Sequence, residues 1–90
     1  MLGLANTAVF STFAMSSKRN FTIELGRRLR SIRSSKKISI EDLANQSDMT
    51  YSQVSRIELG KINTTVYTLY KLSKSLNVHP IEILPVLTNN

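Results

Sequence analysis

An all-α domain of short helices is the fold class this chain predicts, and three observations carry that reading. Apolar residues recur at helical spacing, as in Leu25, Leu29 and Ile32, and no alternating strand pattern runs longer than a few residues. Two helix-start signals follow one another between Ser39 and Lys61, in SIEDLANQSDMTYSQVSRIELGK. Terminators stand where such helices would end, at Gly60 and Asn77.

The first helix is expected over about residues 22–35, with Leu25, Leu29 and Ile32 inward and Arg27, Arg28 and Arg30 mostly outward. The second runs over about 40–47, opened by Ser39 with Asp42 three places on, and puts Leu43 and Ala44 inward. Asp48 and Met49 make the turn. Thr50 opens the third helix, about 51–59, and Gln53 stands where a reciprocal capping box needs it. Ile38 with Leu43, and Met49 with Val54, occupy the staple positions around the two caps. Gly60 suits a left-handed position after that helix. After a polar loop, Thr65 caps a fourth helix, about 66–76, whose stripe is Val66, Leu69, Leu72 and Leu76. A fifth is expected from Pro80, with Glu82 near its positive end, and Pro85 ends it early. His79 is a weak cap for it. None of these helices would be stable alone, so their stripes must meet in one core.

Ninety residues make one domain. With no cysteine there is neither a disulfide framework nor a thiolate metal site, and the lone His79 has no partner ligand in sequence reach. No metal and no cofactor are expected. Net charge is +6, and eight of the twelve Lys and Arg lie between Lys18 and Lys37, opposed there only by Glu24. Such a cluster suits a polyanion, nucleic acid or an anionic membrane surface. A solvated basic helix is the bland reading. No apolar run approaches the roughly 20 residues a membrane span needs. Residues 1–18 read as a leader, poorly ordered or loosely packed on the surface, with Met15 a candidate start. Residues 19–85 would form the domain and 86–90 a tail. Glu41 and Asp42 are adjacent, but on a helix start, where the dipole explains them better than acid–base chemistry. An enzyme is not expected.

LGRRLRSIR, SIEDLA, MTYSQVSRIELGK and LYKLSKSLNV resemble the Cro/C1-type (XRE-like) helix-turn-helix family, which includes phage repressors and the controller proteins of restriction–modification systems. The match runs over about residues 25–84, and its firmest part is the run of Thr50, Val54, Ser55, Ile57, Glu58, Gly60 and Lys61. The resemblance implies a compact five-helix, lambda-repressor-like domain that binds DNA, with the third helix in the major groove and the N-terminus of the second at a phosphate.

The resemblance also implies that Tyr51, Ser52 and Ser55 face base edges. Arg56 can reach a guanine or a phosphate from the flank. Thr50 and Gln53 match positions that touch phosphate in the family, and Lys61 and Asn63, just past the helix, can hold the next phosphates. Arg33 and Glu58 match a family salt bridge that sets the angle of the third helix. Two positions depart from the pattern. Ile40 stands where a phosphate-touching Gln is common, and Thr64 replaces a usual Pro, which should loosen that loop.

The leading expectation is a cytoplasmic transcriptional regulator, active as a homodimer on a pseudo-palindromic operator. Double-stranded DNA and a second copy of itself are its partners, with no membrane and no small-molecule ligand. Ile81, Leu84 and Leu87 are the candidate dimer interface, which Tyr67 or Tyr70 can extend. An antitoxin or accessory protein-interaction module on the same fold is the alternative.

Overall fold

A computed structural model describes the backbone of residues 2–85 and the side chains of residues 18–85. Four α-helices follow in order: α1 Leu2–Ser35, α2 Ile40–Gln46, α3 Tyr51–Glu58 and α4 Val66–Leu76. A single 3-10 turn, Pro80–Glu82, comes last. No strand occurs among the described residues.

The starts of α2, α3 and α4 each have the cap their residues call for. Ser39 Oγ accepts the Asp42 N–H at 3.0 Å. At α3 the box is reciprocal: Thr50 Oγ1 accepts the Gln53 N–H at 3.1 Å, and Gln53 Oε1 accepts the Thr50 N–H at 2.9 Å. Thr65 Oγ1 accepts the Thr68 N–H at the head of α4. Helix ends use left-handed residues, Lys37 after α1, Asp48 after α2, Gly60 after α3 and Asn77 after α4. The turn between α2 and α3 closes when the Met49 N–H donates to the Ala44 carbonyl at 2.9 Å.

The core joins Leu25 and Leu29 of α1, Leu43 and Ala44 of α2, Val54 and Ile57 of α3, and Leu69, Leu72 and Leu76 of α4 with Ile83. Ile32, Ile38 and Met49 pack on it from the edge. α3 lies against both α1 and α2, while α4 packs on α2 and the 3-10 turn.

Three expectations need correction. The fifth helix is one 3-10 turn, so the domain has four α-helices rather than five. Pro80 and Pro85 leave too few residues between them for α-helical bonds to propagate, and the Ile83 N–H bonds back to Pro80. Val66 does not belong to the stripe of α4: it is 83% exposed, because the first turn of that helix extends past the core. Helix α1 begins at Leu2, not near Thr22, and no proline interrupts residues 2–35.

Candidate nucleic-acid interface

The first turn of α3 is the most exposed part of that helix. Val54, Ile57 and Glu58 face the core, leaving Tyr51, Ser52, Gln53 and Arg56 in solvent and Ser55 half-buried at the boundary. Tyr51 is 58% exposed, a large aromatic left outside by a helix whose opposite face is fully covered. Because the Oε1 of Gln53 is engaged in the cap, its amide nitrogen is the group left to donate outward. Lys61 and Asn63 stand exposed on the loop just beyond α3. The start of α2 is also solvent-facing, with Glu41 and Asp42 exposed and Ile40 half-buried on the core.

Arg33 sets α3 against α1. Its Nε donates to Glu58 Oε2 at 2.5 Å and its Nη2 to Glu58 Oε1 at 3.0 Å, a two-pronged pair. Nη1 donates to the Ile38 carbonyl at 2.7 Å, tying in the linker to α2. The side chains are 13% and 4% exposed, so the pair is shielded from water. The hydrogen bond to Glu58 holds the Arg33 guanidinium above its ordinary pKa, against the opposing effect of burial. Stability gained from a raised basic group is lost only as pH climbs through that raised value, so this contribution is constant across the neutral range.

Two further contacts between α1 and α3 carry no signal in motif reasoning. At Gly26 an added Cβ would fall 2.3 Å from the Ile57 carbonyl oxygen and 2.5 Å from that of Glu58, so only glycine lets these backbones come so close. Thr22 is buried, and its hydroxyl lies 2.9 Å from the Arg19 carbonyl of its own helix and 3.2 Å from the Gly60 carbonyl, which brings the chain just past α3 against α1. A glycine inside a run of good helix formers was the one available hint of the first contact.

Some candidates gather elsewhere or fall outside view. Ile81 is 56% exposed, Leu84 packs on the core edge, and Leu87 lies beyond the described residues. Tyr67 and Tyr70 stand outward on α4, with the Lys71 and Lys74 ammonium groups over their rings. The Thr64 hydroxyl is buried without a hydrogen-bond partner among the described residues. No group of three or more His, Asp or Glu side chains that could hold a metal occurs among them, and no helix there is long and apolar enough to cross a membrane.

Two short helices joined by a tight turn, the second held by a buried ion pair with its first turn in solvent, define a helix-turn-helix domain. The chain belongs to the helix-turn-helix family, whose profile matches residues 29–83. It is 36% identical over 70 residues to the control protein C.BamHI of Bacillus amyloliquefaciens, covering 77% of this chain and 86% of that protein. Its fold is similar to that of the restriction–modification controller protein C.AhdI from Aeromonas hydrophila, with a TM-score of 0.69 and 33% identity over 70% of this chain and 96% of that one. An HTH_3 family transcriptional regulator from Vibrio cholerae shares the fold at a TM-score of 0.71 and 21% identity, over 73% of this chain and 37% of that one.

Proposed function

We propose that this protein is a sequence-specific transcriptional regulator of the controller type, binding operator DNA in the cytoplasm as a homodimer. Helix α3 enters the major groove, with Tyr51, Ser52, Ser55 and Arg56 at base edges and Thr50, Gln53, Lys61 and Asn63 at the flanking phosphates. The observation that carries this reading is the exposure of the opening turn of α3 on a helix whose other face is buried and locked by Arg33 and Glu58. A Tyr ring offers a thymine methyl an apolar face, and short Ser hydroxyls accommodate several bases. With no Arg in the first turn of α3, base readout rests on few strong pairs, so two half-sites are needed for useful specificity. Two copies of α3 about 34 Å apart would read a pseudo-palindrome. Ile81, exposed on the last turn, supports the dimer contact there. The net charge of +6 supplies long-range attraction to the duplex.

Likeness to controller proteins over most of the chain favours this reading over a protein-binding module on the same fold. Selection from a random duplex library tests it. A two-fold symmetric enriched site is expected; retention of all sequences alike would reduce the function to nonspecific DNA association.

A further inference from the structure

We infer that Lys18 and Arg19 of α1, together with Lys61 past α3, form a second binding surface for the DNA backbone, outside the stretch that α3 reads. This rests on the DNA-binding reading above and extends it to residues that lie before the family match at 29–83.

An open groove of about 730 Å³ runs between α1 and the loop that follows α3. One wall is Lys18, Arg19, Thr22 and Ile23, which share a face of α1 by their spacing. The other is the chain from Leu59 to Asn63. Lys18, Arg19 and Lys61 are all exposed, no carboxylate lines the groove, and none of the three forms an ion pair among the described residues. Arg27, Arg28 and Arg33 differ in this: each is paired with Glu24 or Glu58.

The two walls are locked together. The Thr22 hydroxyl reaches the Gly60 carbonyl, and a Cβ on Gly60 would fall 2.7 Å from the Ile23 Cα, so the backbones touch at the groove floor. Lys18 and Arg19 therefore keep a fixed offset from Lys61 and do not drift as a free tail would. Three exposed, unpaired cations, carried on backbones held together along an open trough, fit an extended polyanion. A small free anion would need enclosing polar groups, and the groove has none that close over it. Duplex DNA carries one charge per about 1.7 Å of axis, so a backbone held at Lys61 offers further phosphates to the neighbouring wall.

The test compares the full chain, Lys18→Gln/Arg19→Gln and Lys71→Gln/Lys74→Gln on a random-sequence duplex of about three helical turns, over a range of salt concentrations. The first pair is expected to flatten the slope of log affinity against log salt by about 2, roughly 0.9 for each lost phosphate contact. The second pair removes the same charge from α4 and is expected to leave the slope alone. Restoring charge with Lys18→Arg/Arg19→Lys should restore the wild-type slope. An unchanged slope for the first pair, or equal flattening by both pairs, overturns the inference and leaves DNA binding by α3 standing. Wild-type protein that binds no duplex overturns both. Inorganic phosphate titrated at constant ionic strength should act alike on wild type and the first variant; displacement seen only with wild type would assign the groove to a free anion instead.

Discussion

Arg33 donates from three guanidinium nitrogens, two to Glu58 and one to the Ile38 carbonyl. Glu58→Ala leaves that guanidinium shielded and unpaired, at a cost of about 3–5 kcal/mol. In a domain this small the melting temperature should fall by more than about 10 °C, while base preference at low temperature stays as in the wild type. A variant melting with the wild type would show that the pair does not hold α3. Gly26→Ala tests the neighbouring contact. Its Cβ must push the Ile57 and Glu58 carbonyls away, and a loss of at least about 1–3 kcal/mol is expected in chemical denaturation. Arg33 and Glu58 were legible in the sequence through their family spacing. Gly26 was not, because a lone glycine in a helix reads as a weak point until the opposing carbonyls are in place.

The boundaries of α2, α3 and α4 were legible, since a cap is a contact between residues three apart, whereas the start of α1 at Leu2 was not. Thr50 with Gln53, Thr65 with Thr68, and the left-handed Asn77 each satisfy groups within one turn. The last helix failed as an expectation because two prolines compete over a span too short for either outcome to be read locally. For the readout helix, Tyr51→Ala and Ser52→Ala are expected to change the bases preferred within each half-site, as measured by selection on randomised duplexes. Lys61→Ala should instead weaken all sequences by a similar factor. If Lys61→Ala altered preference and Tyr51→Ala did not, the assignment of roles on α3 would be reversed.

At the scale of the whole molecule, the core draws on all four α-helices and Ile83, and leaves Ile81, Tyr67 and Tyr70 outside. Ile81→Asp places a charge on the proposed dimer contact without touching the core. Sedimentation is expected to show a shift toward monomer and a loss of affinity for a two-half-site duplex, with the melting temperature of the monomer fold preserved. An unchanged dimer would move the interface to another face, such as the start of α4, where Val66 and Tyr67 are more exposed than Ile81.

Charge, helix register, caps and the turn between α2 and α3 were determined by the sequence itself, because each depends on residues within about four positions of one another. Tertiary structure alone decided that Gly26 must be glycine, that Thr22 anchors Gly60, that Val66 lies outside the core and Ile83 inside it, and that Lys18 and Lys61 share a groove. Those facts join parts of the chain up to several tens of residues apart. Their energies come from which backbones can touch and which side chains lose water, and no local pattern encodes either.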